Sequence, residues 1–176
     1  MSFAVRESDD QMEAERFRRM REIQKMLADA GLTAVHENCM NYGGMGWPFT
    51  LRLVENVPGL KLVFDTGNPV GSDNRIGDPP YRKQSSWEFY SQVREFIVHI
   101  HIKDCVFIEE TGGLFPKLEH TFPGEGHGDV EKIVRDLIAS RYEGVLSIEP
   151  HLAVVYHDDT VQSPEEIRYQ NYVLYG

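Results

Sequence analysis

Cysteine is scarce: Cys39 and Cys105 are the only two in 176 residues and show no paired spacing. That excludes a disulfide framework and a zinc knuckle, and it points to reduced thiols with a structural role. Basic residues are also few. Lys and Arg number 18 against 28 Asp and Glu, a formal net charge of -10, with a pI near 5.1. Nucleic acid and anionic membranes are held by clustered cationic side chains, so neither is expected as a partner, and a small solute is. No apolar stretch approaches the length of a bilayer span. The opening MSFAVRESDD lacks a basic region followed by an apolar core, so the expectation is a cytoplasmic protein. Low-complexity tracts are missing too. With 41% hydrophobic and 26% charged residues, the chain reads as one globular domain over residues 1–176 with a sizeable core.

What is present is an alternation. From Asp10 to Ala30 the apolar residues Phe17, Met20, Ile23 and Leu27 recur at helical intervals, acids crowd the start, and Gly31 supplies a stop. Arg16, Arg18, Arg19 and Arg21 fall on the solvated side of this helix. The β-branched run LTAVHEN (32–38) predicts a strand. Residues 48–57 predict a helix with Pro48 in its first turn, and LKLVFD (60–65) predicts the next strand. After a long polar loop, Ser85 and Glu88 form a capping box before a helix carrying Phe89, Val93 and Phe96. VHIHIKD (98–104) is a third strand. Beyond another loop, Asp129 opens a helix with Val130, Ile133, Val134 and Leu137 in register, and GVLSIEP (144–150) is a fourth strand. Ser163, Pro164 and Glu166 begin a last helix. With SFAV near the start as one more strand, five strands and five helices imply parallel βαβ units. Open sheet and barrel both fit that count, because a complete eight-stranded barrel takes about 250 residues.

The later strands each end in a residue able to bind a metal: Glu37, Asp65, His101 and Glu149. In parallel α/β folds the carboxyl ends of the strands open on the ligand site, so these four converge there. Three carboxylates and an imidazole favour Mn²⁺, Mg²⁺ or Co²⁺ over ions that prefer thiolates. Alternation along VHIHIKD turns His99, His101 and Lys103 to the cleft side while Val98, Ile100 and Ile102 pack beneath helices.

The stretches VHEN, VFDTGN, HIHIKD, PGEG and SIEPH together resemble, in order and over nearly the whole chain, the sugar phosphate isomerase/epimerase family. These are the xylose-isomerase-like, metal-dependent barrels of the AP endonuclease family 2 superfamily. The resemblance implies an α/β fold of the (β/α)₈ TIM-barrel type. It places SFAV on the family's fourth strand, so that strands 4–8 are expected here and strands one to three are not. It implies metal-ligand roles for Glu37, Asp65, His101 and Glu149, and acid/base roles for Glu37 and Glu149. The expected cofactor is a divalent ion, Mn²⁺ first, with Mg²⁺, Co²⁺ or Zn²⁺ as alternatives. The expected substrate is a small sugar or sugar derivative, converted through an enediolate.

The sequence departs from the family's pattern in three places. Where some relatives carry a His three places after the strand-six Asp, to touch substrate or bind an additional metal, this chain has Asn68. That argues against a DNA-repair endonuclease, which needs more histidines. No Arg follows near Phe107, so Lys103 or His99 is expected to hold the substrate oxygen. Glu125, in the GEG stretch, is expected to order a ligand or substrate hydroxyl. His127 leads the next helix, and His151 with His157, Asp158 and Asp159 belongs to a surface loop. Tyr42 and Trp47 either wall the pocket or pack in the core. A chain starting at strand four leaves three outcomes: a reading frame that has lost its first half, a homo-oligomer in which a second copy rebuilds the barrel, or a poorly stable remnant. Rivals to the isomerase or epimerase reading are a non-catalytic metal-binding remnant and a dehydratase of a polyol or inosose.

Overall fold

A computed structural model of the chain describes residues 11–112, 116–149, 151 and 163–175. Helix α1 spans Glu13–Asp29, and its end shows why Gly31 stands there. Gly31 has φ 73°; its amide donates to the Ala28 carbonyl at 2.9 Å and the Leu32 amide to the Leu27 carbonyl at 2.8 Å. This crossed pair is a Schellman stop, which requires the left-handed conformation that glycine adopts without penalty. Strand β1 (Val35–Glu37) follows, then α2 (Trp47–Asn56) and β2 (Lys61–Asp65). A short helix α3 (Asn68–Gly71) interrupts the stretch expected to be loop. Next come α4 (Ser86–Val93) and β3 (Ile97–Ile102).

Where a plain loop was expected after β3, the chain forms an antiparallel hairpin, β4 (Asp104–Glu109) and β5 (Lys117–Thr121). Polar and apolar residues alternate only weakly along it, which hides it from a periodicity reading. Helix α5 (Val130–Ala139), strand β6 (Val145–Ile148) and helix α6 (Pro164–Tyr175) complete the order. The expected strand SFAV lies outside the described residues, as does the cluster His157, Asp158 and Asp159.

Four strands form one parallel sheet in the order β1-β2-β3-β6. One face of β2 and β3 carries Leu62, Phe64 and Ile100, all buried in one cluster with Leu53 of α2, Phe89 and Tyr90 of α4 and Ile133 of α5. The Phe64 ring meets Phe89 at 5.6 Å and Tyr90 at 5.8 Å, both edge to face. Removing these rings from water is the main driving force for seating α4 on the sheet. Tyr42 is fully buried, edge-on to Phe17 and Phe49, so it is a packing residue and not a pocket wall. Trp47 packs against the same cluster.

The caps follow the sequence in one case and depart from it in another. Ser85 accepts the Glu88 amide at 3.2 Å, as expected of an N-cap. Asp129 does not cap its own helix: it adopts φ 53° and its side chain makes no bond to α5. Its carboxylate instead accepts the Trp87 amide at 3.0 Å, capping α4 and pinning α5 to it. No helix among the described residues is long and apolar enough to cross a membrane.

Candidate metal centre

The register of the sheet brings the strand ends together. Asp65 is the lateral partner of His101, and His101 of Ser147, two residues before Glu149. Glu37 is the last residue of β1. Glu37, Asp65, His101 and Glu149 each offer a donor atom, and these atoms all lie within 4.8 Å of one another. His101 Nδ1 lies 3.3 Å from Glu149 Oε2 and 3.6 Å from Glu37 Oε1. It is buried and makes no hydrogen bond, which is costly unless an ion or proton takes the lone pair. Three carboxylates, an imidazole and an unpartnered ring nitrogen fit a divalent cation with oxygen-preferring chemistry.

Each of these groups is held by its neighbours. Asn38, buried directly after β1, donates to the Asp65 carbonyl at 3.0 Å and accepts the Asp65 amide at 2.7 Å. Asp65 Oδ1 accepts the amides of Gly67 and Asn68 at 2.8 and 2.7 Å, leaving Oδ2 turned to Lys103 Nζ, 2.9 Å away. Asn68 donates its side-chain amide to Glu37 Oε1 at 3.2 Å. Glu149 is held on both oxygens: Oε1 is 2.9 Å from His151 Nε2 and Oε2 is 3.4 Å from Lys103 Nζ. His99 Nε2 lies 2.7 Å from Ser147 Oγ, with its ring edge-on to His101 at 4.9 Å.

Electrostatics separate the two neighbouring carboxyls. Burial pushes Asp65 up to about 7, although Lys103 pulls it back. Burial would raise Glu149 as well, but the hydrogen bond from Asp65, His151 and Lys103 outweigh it and hold Glu149 down to about 2. Glu149 is therefore the ionised member at neutral pH. Burial opposes the charge on Lys103, yet its two carboxylate partners raise its pKa. Burial, then His101, lowers His99.

Asn68, His99 and Lys103 thus stand at the four-residue cluster. Glu125 is exposed, and among the described residues no side-chain hydrogen bond or ion pair joins it to the cluster. The loop that carries it is nevertheless anchored close by. Asp104, 1% exposed, accepts the amides of Gly124 and Gly126 on Oδ2 at 2.9 and 3.0 Å, and those of Gly128 and Cys105 on Oδ1 at 2.8 and 2.9 Å. A buried carboxylate satisfied by four amides is a loop anchor.

Three participants were not singled out by sequence reasoning: Asn38, Asp104 and the contact of His151 with Glu149. The signal for Asn38 was its place in VHEN, and for Asp104 the alternate glycines 124, 126 and 128. His151 stacks on His120 at 4.9 Å, a pairing across 31 positions that no local pattern announces.

Solved structures share this arrangement of strands and helices. A xylose isomerase domain protein from Planctomyces limnophilus is 24% identical, with a TM-score of 0.62 over 84% of this chain and 49% of its own. The probable 3-DHS dehydratase AsbF, involved in petrobactin synthesis in Bacillus anthracis, is 19% identical, with a TM-score of 0.58 over 97% of this chain and 59% of its own. A xylose isomerase-like TIM barrel protein from Mycobacterium smegmatis, solved in complex with magnesium, is 19% identical, with a TM-score of 0.60 over 98% of this chain and 54% of its own. The chain spans about half the length of these structures. No curated protein matches it. The family model described as xylose isomerase-like TIM barrel matches residues 3–170, in keeping with the parallel strands and the helices between them; the chain belongs to that family.

Proposed function

We propose that the chain is a divalent-metal-dependent isomerase or epimerase of a small sugar or sugar derivative, with Mn²⁺ as the preferred ion. The observation that carries this reading is the convergence of Glu37, Asp65, His101 and Glu149 within 4.8 Å at the carboxyl end of the sheet. Those four residues hold the ion, which when bound acts as a Lewis acid on neighbouring substrate oxygens. Glu149, ionised and held on both oxygens, removes the proton beside the substrate carbonyl. Glu37 serves as its acid/base counterpart. Return of the proton to the same carbon from the opposite face yields an epimer, and delivery to the adjacent carbon yields an isomer. Asn68 and His99, beside the four-residue cluster, bind substrate oxygens.

We place the enzyme in the cytoplasm, and its acidic charge supports a small-molecule partner over nucleic acid or an anionic membrane. A second reading, dehydration of a polyol or an inosose-like ring, uses the same proton abstraction and is favoured by the likeness to AsbF.

The test is exchange of substrate carbon-bound protons with D₂O, followed by NMR across a panel of aldoses, ketoses and inososes with Mn²⁺. Exchange with retained carbon skeleton supports the isomerase reading, and loss of water supports the dehydratase. Glu149→Gln should abolish exchange. Full exchange in that variant would sink the mechanism, and bound Mn²⁺ without exchange on any substrate would leave a non-catalytic metal-binding barrel.

A further inference from the structure

Lys103 is 7% exposed, an unusual position for an ammonium unless it is paired. Its backbone is locked in place. The Lys103 amide donates to Thr66 Oγ1 at 3.0 Å, and the same hydroxyl donates to the Lys103 carbonyl at 2.6 Å. Its aliphatic stem runs over Gly67: a Cβ there would meet Lys103 Cγ at 3.0 Å and Cε at 3.2 Å. The side chain is therefore threaded through a slot that ends among the acidic groups, and Nζ reaches Asp65 Oδ2 at 2.9 Å and Glu149 Oε2 at 3.4 Å.

Apart from Lys103, Glu149 Oε2 faces only another member of the cluster, His101 Nδ1 at 3.3 Å, and no backbone amide holds Asp65 Oδ2. Asp65 Oδ1 is committed to two backbone amides and Glu149 Oε1 to His151. A dication held by these two carboxylates would therefore take Oδ2 and Oε2, beside which Lys103 Nζ already lies. We propose that Lys103 is the resident cation of this cluster: its ammonium keeps the Asp65 and Glu149 oxygens aligned, and a divalent ion must take them from it. The proposal rests on the reading of the four residues as a metal site. Without the ammonium, the carboxylates repel one another in the absence of metal, and a dication enters without repulsion from a neighbouring positive charge.

The experiment compares wild type with Lys103→Met and Lys103→Gln, each stripped with EDTA, dialysed, checked for native near-ultraviolet circular dichroism and titrated with Mn²⁺ alone by calorimetry. Both neutral variants are expected to bind Mn²⁺ more tightly, on the order of tenfold. Both should melt at lower temperature than wild type in EDTA, with the difference closing at saturating Mn²⁺. Equal or weaker Mn²⁺ binding in both variants overturns the proposal and leaves Lys103 as a substrate contact or a fold residue. Absence of binding in all three proteins overturns it together with the metal-site reading. Failure of the proposed catalysis is distinct, since Mn²⁺ affinities that differ as expected remain readable in a protein that turns over no sugar.

Discussion

Asn38 and Asp65, on neighbouring strand ends, exchange two hydrogen bonds: the Asn38 amide donates to the Asp65 carbonyl at 3.0 Å and its oxygen accepts the Asp65 amide at 2.7 Å. This clasp replaces the ladder where β1 has already ended, and it sets the height at which the Asp65 carboxyl enters the cluster. Asn38→Ala leaves a buried backbone amide and carbonyl without partners. The expected cost is about 2 kcal/mol in urea unfolding, with weaker Mn²⁺ binding. A variant as stable as wild type would show that water replaces the clasp.

The alternate glycines of the loop before α5 are explained by Asp104. A Cβ at position 126 would collide with Asp104 Oδ1 and lie 2.7 Å from the Cys105 carbonyl oxygen, so Gly126→Ala must shift the carboxylate within its cage of amides or the loop away from β4. We expect a loss of about 3 kcal/mol, the magnitude of uncovering a buried, charge-assisted network. Gly112→Ala serves as the comparison: Gly112 has φ 70° and no atom of the described residues within 4 Å of the added Cβ, so its expected cost is that of backbone strain. Equal losses in the two variants would remove Asp104 as the cause.

Mn²⁺ affinity should depend on pH through Asp65. Burial raises this carboxyl to about 7, and a cation takes only the ionised form. Below about pH 7 each ion must therefore displace a proton, and affinity falls by about tenfold per pH unit. Above it, affinity levels off. Calorimetry in buffers of different ionisation enthalpy counts the released protons; a count of zero at pH 6 would contradict the expectation.

His36 gives the fold its own acid sensitivity. Burial pushes its imidazole from 6.5 down to about 4, with the Asn41 side chain 3.2 Å away opposing the shift. The unfolded chain binds this proton below about pH 6.5, whereas the folded chain binds it only near pH 4. Stability is therefore complete above pH 6.5 and declines as pH falls to 4, by as much as about 3 kcal/mol. Urea unfolding of His36→Gln across this range should show a shallower decline than wild type. Parallel curves would rule out His36 as the titrating group.

The alternation of strand and helix was legible because apolar periodicity and stop signals are local; the TIM-barrel type was implied only by the family resemblance, since open sheet and barrel both fit the count of elements. Phe17 and Leu27 lie on one side of α1, Gly31 ends it, and Ser85 caps α4, all within a turn of the residues that decide them. The hairpin β4–β5 was not legible, because its pairing of Cys105 with His120 is fixed by Asp104 gripping glycines some twenty residues downstream. Asp129 misled for a related reason: its carboxylate finds a better donor in the Trp87 amide of the adjacent helix than in its own.

By itself the sequence determined which residue types stand at the strand ends, and strand polarity then assigns Glu37, Asp65, His101 and Glu149 to a common rim. Only the tertiary structure decided their distances, which oxygen of each carboxylate stays available, and that Lys103 lies between two of them. Those properties depend on lateral register between strands and on clasps such as Asn38–Asp65, set by packing across the sheet and not by any spacing along the chain.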